Sequence, residues 1–264
     1  MKQYLLTNEQ IIRNKTVLDL ACHTGESTKI IHELGAEHVY AVEVRPDLIK
    51  TAQQNLVANN VQFMIEDITN YAVMSSLVAK SNTITCFGVL YHLFDHFRFL
   101  ECILQPNIEY VLIETEFGSE SPNPEMYWGV ETTDQVLHGW HNHAKIIPHG
   151  TPNLSWILQS ADIFNFKCDW IQHYGTKTSK KRKQVTMEEY LSIAGPDWPS
   201  YADLISNKPI PDFVENEIAD FLQIFINKRM IIRLYNTNLV NSTPLSLKEI
   251  YQYKPADTRL LLPR

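Results

Sequence analysis

Along the first half of the chain, apolar residues follow two alternating spacings. Short β-rich runs ending in an acid or a glycine give way to stretches whose apolar positions recur at helical spacing. Val17-Leu18-Asp19-Leu20 is the first such run. The small-residue turn Ala21-Cys22-His23-Thr24-Gly25 follows, and then Thr28, Ile30, Ile31 and Leu34 mark a helix that Gly35 stops. His38–Val44 predicts a second strand, with Glu43 near its end, and Leu48, Ile49, Ala52 and Leu56 a helix behind Pro46, a residue suited to a first helical turn. Val61–Ile65 reads as a third strand running into Glu66-Asp67, and Thr83–Phe87 as a fourth that breaks at Gly88. Asp95–Leu104 reads as a helix and Tyr110–Glu114 as a fifth strand. Ahead of them all, Thr7-Asn8-Glu9-Gln10 has capping-box spacing and predicts a short helix.

Strands and helices alternating in this way specify an α/β fold, with right-handed crossovers and a parallel sheet covered on both faces. Ligands of such sheets bind beyond the carboxyl ends of the strands, where the strand order reverses. Asp19, Glu43, Asp67 and the Gly88–His92 turn all fall at expected strand ends, so they should converge on one rim.

Beyond Phe117 the pattern loosens. Residues 117–150, rich in Pro, Gly, His and Trp, are expected to form a long loop and partial lid. Leu154–Ala161 reads as a helix, Phe166–His173 as a strand and Met230–Leu234 as a last strand. Between the two strands lie the basic stretch Thr176–Lys183, a capping box at Thr186–Glu189, the Gly195–Pro199 turn and an amphipathic helix carrying Val214, Ile218, Phe221, Leu222 and Phe225.

Composition narrows the function classes. The 264-residue chain is 44% hydrophobic with a formal net charge of −7, which argues against a global surface for polyanions. Cys22, Cys86, Cys102 and Cys168 form no Cys-x-x-Cys pair and read as reduced thiols of a cytoplasmic protein. No signal-peptide core or membrane-length apolar run is present, so no membrane association is expected.

Strand, tight turn and helix at Val17–Leu34 suit a nucleotide-like ligand. A dinucleotide cradle needs Gly-x-Gly-x-x-Gly, whereas Ala21, His23 and Gly25 occupy alternate positions here. S-adenosylmethionine carries no phosphate. It needs a closely approaching turn, an acid for its ribose hydroxyls and an acid or amide for its adenine amine. Glu43 and Asp67 suit those two roles, and Asp19 could hold the turn by accepting backbone N–H bonds.

Leu-Asp-Leu-Ala-Cys-His-Thr-Gly at 18–25, Ala-Val-Glu-Val at 41–44 and Glu66-Asp67-Ile68 resemble the first, second and third motifs of the class I S-adenosylmethionine-dependent methyltransferases. The resemblance covers Val17–Glu116 and runs more weakly to Phe166. It departs from the family at Ala21 and His23, which replace two commonly glycine positions. It implies a Rossmann-like sheet, mostly parallel with its last strand antiparallel, and S-adenosyl-L-methionine held by Asp19, Ala21, His23, Gly25, Glu43, Asp67, Ile68 and Gly88. Phe87-Gly88-Val89-Leu90-Tyr91-His92-Leu93 further resembles the Gly-Val-Leu-Tyr-His turn of a subgroup that includes the tRNA wobble-uridine carboxymethyltransferases. Pro152-Asn153-Leu154 resembles the proline-led helix start of that subgroup. On this reading residues 1–174 are the methyltransferase core, 175–227 a helical insertion or cap, and 228–264 the final strand and tail.

Methyl transfer is an in-line displacement, so the enzyme chiefly positions the acceptor and, for a hydroxyl, removes a proton. Tyr91 and His92 follow the fourth strand, and are expected to orient the acceptor and to act as base, respectively. Either side chain could instead simply pack the next helix. His138, His141, His143 and His149 form the densest histidine cluster. No metal is assigned to it, because the segment offers no regular frame to fix ligand geometry. His141 and His143, with Tyr127 and Trp128, are expected to contact the acceptor. Lys177, Lys180, Lys181, Arg182 and Lys183 form the one basic run and are the local support for an RNA acceptor. The leading expectation is a methyltransferase acting on a small-molecule or carbohydrate-like acceptor. The alternatives are an RNA-directed methyl or carboxymethyl transferase and a non-catalytic cofactor-binding partner.

Overall fold

The computed structural model describes residues 2–116, 121–132, 146–175 and 228–246. A short helix, α1 (Lys2–Thr7), and a 3-10 turn at Glu9–Ile11 lead into β1 (Thr16–Leu20), α2 (Glu26–Glu33), β2 (His38–Glu43), α3 (Pro46–Asn55) and β3 (Val61–Ile65). Next come α4 (Tyr71–Val78), β4 (Thr83–Phe87), a 3-10 turn at Leu90–His92, α5 (His96–Ile103) and β5 (Tyr110–Glu116). The described remainder holds β6 (Met126–Thr132), β7 (Ile146–Pro152), α6 (Leu154–Ile163), β8 (Phe166–Gly175) and β9 (Lys228–Asn236).

Seven strands form one sheet in the order β3-β2-β1-β4-β5-β9-β8. Strands β1 to β5 pair in parallel, and β9 runs antiparallel to both β5 and β8. The sheet, its strand sense and its antiparallel strand are as expected for a Rossmann-like α/β fold. The order reverses between β1 and β4, so the crevice lies beyond the carboxyl ends of those two strands.

Strand β1 shows why the sheet is central. Val17 packs with Val39, Leu112, Ile31 and Leu5 on the face covered by α1 and α2, while Leu18 and Leu20 pack with Ile84, Val111, Ile113, Leu77, Phe99 and Ile157 beneath α4, α5 and α6. A strand buried on both faces reads as a continuous apolar run, so Asp19, fully buried in its middle, is the conspicuous exception.

Two expectations are corrected, and one helix was missed. The capping box at Thr7 does not form: Thr7 Oγ1 donates to the Gln3 carbonyl of α1, and Asn8 makes no side-chain cap for the 3-10 turn. Helix α4 escaped the sequence reading because its run, Tyr-Ala-Val-Met-Ser-Ser-Leu-Val, has weak intrinsic helix propensity and is held by burial of Met74, Leu77 and Val78. The expected loop 117–150 contains, in its described residues, strand β6 and most of β7, which pair antiparallel as a separate two-stranded sheet from Met126↔Pro152 to Thr132↔Ile146.

Asn153 explains how this hairpin is anchored. Fully buried, it caps α6 by accepting the Trp156 N–H at 2.9 Å, accepts the Glu125 N–H at 3.0 Å and donates to the Asn123 carbonyl at 2.7 Å. The segment expected as a cap, 175–227, falls outside the described residues except for Gly175.

Candidate active site

Asp19 was expected to accept backbone N–H bonds from its turn. It accepts hydroxyls instead: Ser27 Oγ at 2.8 Å and Thr28 Oγ1 at 2.7 Å on Oδ2, and Thr85 Oγ1 at 2.7 Å on Oδ1. The carboxylate thereby ties the end of β1 to the first turn of α2 and to β4. Burial pushes its pKa above the usual carboxylate range, and the three hydroxyls oppose that shift. Its side chain is completely enclosed, so it acts on the rim by fixing the turn above it.

That turn is strained in a regular way. Ala21 (φ 55°), His23 (φ 52°) and Gly25 (φ 80°) all lie in the left-handed region at alternate positions. For a non-glycine residue this costs about 1–2 kcal/mol. Ala21 and His23, which stand where the motif they resemble commonly has glycine, therefore hold a backbone conformation that glycine adopts readily. Gly25 cannot be replaced so freely, because a Cβ there would lie 3.0 Å from Ala52 Cβ and 3.3 Å from the Phe63 ring. Its close approach is to α3 and β3.

Glu43, at the carboxyl end of β2, is 3% exposed and reaches across to the same turn. Its Oε2 accepts the His23 N–H at 3.2 Å, and its Oε1 accepts Nε of Arg45 at 3.0 Å and the Arg45 backbone N–H at 3.2 Å. Arg45, which the sequence reading passed over, thus holds this acid in a charge-assisted fork. At the end of β3, half-buried Asp67 caps its own turn, accepting Thr69 N–H at 2.8 Å and Thr69 Oγ1 at 2.7 Å through Oδ1. Buried Ile68 packs against the core at its side. Gly88 (φ 69°) ends β4 and donates to the Glu114 carbonyl of β5 at 3.0 Å.

Tyr91 and His92 occupy the 3-10 turn that follows. Tyr91 is 9% exposed, His92 is half-buried, and their ring centroids lie 4.1 Å apart. The hairpin docks directly behind them: Gly150 N–H donates to the Leu93 carbonyl at 2.9 Å. Trp128, 43% exposed, meets Phe94 at 5.2 Å between centroids. Tyr127 donates to Glu125 Oε2, just ahead of its strand, at 2.6 Å. The structure therefore brings Trp128 against Phe94, two residues past the Tyr91–His92 turn. His138, His141, His143 and the basic run 177–183 lie outside the described residues. Among the described residues, no group of three or more His, Cys, Asp or Glu could hold a metal.

His96 is a second residue that sequence reasoning missed. Its ring is 2% exposed and lies edge-on to Trp128 (6.2 Å) and Trp156 (5.9 Å). Nδ1 lies 3.2 Å from the Phe94 carbonyl, an acceptor, so Nδ1 carries the proton and Nε2 is a buried acceptor without a hydrogen-bond partner. A Cβ on Gly150 would lie 2.8 Å from His96 Cε1, so the hairpin seats on this imidazole only because residue 150 has no side chain. Burial lowers the His96 pKa, and His149 of β7 adds to that, against the opposing carbonyls of Phe94, Gly150 and Leu90.

The groups on this rim suit a nucleoside without phosphates: an accepting acid at the end of β2, a second accepting acid just after β3, and a turn whose residues 21, 23 and 25 are left-handed. Residues 11–167 match the family described as "Methyltransferase domain". A stretch of 76 residues is 33% identical to ribosomal protein L11 methyltransferase of Psychrobacter arcticus, spanning 27% of this chain and 25% of that protein. An S-adenosylmethionine-dependent methyltransferase from Mesorhizobium loti shares the fold with a TM-score of 0.53 and 11% identity, over 89% of this chain and 98% of its own. The N-terminal domain of EvdMO1, solved in the presence of S-adenosylhomocysteine and D-fucose, shares it with a TM-score of 0.53 and 11% identity, over 89% and 82%.

The sheet order and its rim define a class I methyltransferase fold. The chain belongs to the methyltransferase-domain family.

Two outcomes follow from this geometry. Asp19→Asn keeps the volume but leaves one or two of the three hydroxyls without their acceptor. Urea unfolding should show a loss of about 1–3 kcal/mol, against little change for Thr69→Ala on the outer rim. His96 binds protons more weakly in the folded chain than an ordinary histidine, whose pKa is about 6.5, so its contribution to stability is intact above that pH. The contribution is lost as pH falls below it, because the unfolded state protonates first. The melting temperature of the wild type should therefore fall more steeply between pH 7.5 and 5.5 than that of His96→Asn.

Proposed function

We propose that the whole protein is an S-adenosylmethionine-dependent methyltransferase acting on a small-molecule or carbohydrate-like acceptor. The observation that carries this reading is the position of the β6–β7 hairpin, which puts the exposed Trp128 ring against Phe94, two residues past the Tyr91–His92 turn that follows β4. Aromatic side chains presented at a rim recognise small ring-bearing ligands well. EvdMO1, whose N-terminal domain was solved with a deoxy sugar, gives a precedent on the same fold.

On this reading Glu43 takes the ribose hydroxyls, Asp67 and Ile68 the adenine, and the Asp19–Gly25 turn with Gly88 the methionine end. Glu43 already accepts the His23 N–H, so it couples the ribose position to the shape of the turn. Arg45 stays beside it as a counter-charge. The bound cofactor supplies a methyl group activated by its sulfonium. Tyr91 orients the acceptor and His92 removes the hydroxyl proton. Positioning supplies most of the rate in such a displacement, and the base adds a factor of about 10²–10⁴.

The second reading is an RNA-directed methyl or carboxymethyl transfer, supported by the basic run at 177–183 as its contact. Residues 175–227 are read as an insertion, a reading supported by the sheet order: β8 and β9 are antiparallel neighbours, and this segment leaves and returns between them. The four cysteines are all free and buried, which supports a cytoplasmic setting. Among the described residues no helix is long and apolar enough to cross a membrane.

Calorimetric titration with S-adenosylmethionine and S-adenosylhomocysteine tests the cofactor site. Glu43→Gln should weaken both by about 1.5–3 kcal/mol, the worth of a hydrogen bond to a charged group. Equal affinity in the variant would remove Glu43 from the site. Against an acceptor found by screening, His92→Ala should lower kcat by about 10²–10⁴ while the cofactor dissociation constant stays the same. Full turnover in the variant would end the assignment of His92 as base.

A further inference from the structure

A lone exposed aromatic side chain needs no explanation. Phe94 and Trp128 are different, because they come from separate elements and meet beside the candidate acceptor turn. Phe94 is 37% exposed and Trp128 43%, and their rings lie 5.2 Å apart at 50° to one another. Two rings at that angle make a corner with two apolar walls.

The corner is held from behind. Leu93, between His92 and Phe94, accepts the Gly150 N–H of the hairpin. The carbonyl of Phe94 is fixed by the His96 imidazole, and the same imidazole lies edge-on to Trp128. Trp128 also lies against Gly150, where a Cβ would come within 3.1 Å of its ring. Rigid backing reduces the side-chain entropy lost on binding, which favours a ligand that docks on the exposed faces.

We propose that Phe94 and Trp128 together form the acceptor subsite, and that the acceptor presents a flat apolar face to it. This rests on the reading of the rim given above and deepens it: Phe94 becomes a specificity-determining residue, and the acceptor is a ring compound. Two chemistries share such a face, the C–H face of a pyranose and the π face of a phenol. The hydroxyl of either lies at the ring edge, and the Tyr91–His92 turn stands two residues ahead of Phe94 in the chain.

Ligand-observed saturation-transfer NMR on the protein with S-adenosylhomocysteine tests the assignment, with methyl β-D-galactopyranoside and 4-methylcatechol as probes. Saturable binding of at least one probe to the wild type is expected, and the probe that binds identifies the chemistry. Phe94→Ala and Trp128→Ala should each weaken that probe about fivefold or more, as loss of one aromatic contact predicts. Phe94→Leu, which keeps bulk without a ring, should weaken it by a similar factor while keeping the wild-type melting temperature. S-adenosylhomocysteine affinity should stay within twofold throughout. Probe affinity unchanged in Phe94→Leu and Trp128→Ala, or saturable binding of neither probe, overturns the subsite and leaves the cofactor site standing. Failure of the wild type to bind S-adenosylhomocysteine would refute the underlying reading, and this one with it.

Discussion

The arrangement of the rim depends on a carboxylate buried inside a strand. An acid in the middle of a two-sided apolar strand is costly unless its oxygens are satisfied. Asp19 meets that condition with three short hydroxyl bonds from two elements. Two of the donors sit in the first turn of α2 and the third on the neighbouring β4, so satisfying one side chain fixes where the helix begins relative to two strands. The turn between β1 and α2 then has to span a set gap in five residues, Ala21 to Gly25. The left-handed residues at alternate positions are how it does so.

Strain in that turn is informative because it is carried by residues that glycine would relieve. Ala21 and His23 accept an unfavourable backbone conformation, and strain of this kind persists where the surroundings over-determine it. The surroundings here are identifiable. Cys22 N–H donates to the Val42 carbonyl, Gly25 N–H to the Cys22 carbonyl, and His23 N–H to the Glu43 carboxylate. The bond from His23 also links the first two motifs physically, so the acid of β2 is a support for the turn as well as a candidate ribose partner.

The alternating half of the chain was legible because its signals are local. Strands β1 to β5 have compact apolar runs, and Pro46 stands at the first turn of α3 as its position suggests. The rim was legible for the same reason, since strand ends carry their acids with them. What escaped depends on tertiary context. Helix α4 is held by the core, not by propensity. Strand β7 reads Ile-Ile-Pro-His-Gly-Thr-Pro, and two prolines and a glycine mark a loop unless the strand is at an edge, as in a two-stranded sheet it must be. Its partner is separated by residues 133–145, so no tight-turn signal joins the two. Arg45 and His96 escaped because nothing in their spacing shows that one would brace Glu43 and the other would sit beneath a hairpin.

This asymmetry divides the site into two halves with different physics. The proposed cofactor half is built from strand ends of one sheet, braced by buried charge and hydroxyl bonds. The proposed acceptor half is a separate two-stranded sheet joined to the rim by the Gly150–Leu93 bond, the seating of Gly150 on His96 and the Phe94–Trp128 contact. The family is therefore readable from the first half, whereas the acceptor has to be read from the second. Trp128 could be named from sequence, but its pairing with Phe94 is visible only once the chain is folded, because the two are far apart in sequence and adjacent only through the hairpin.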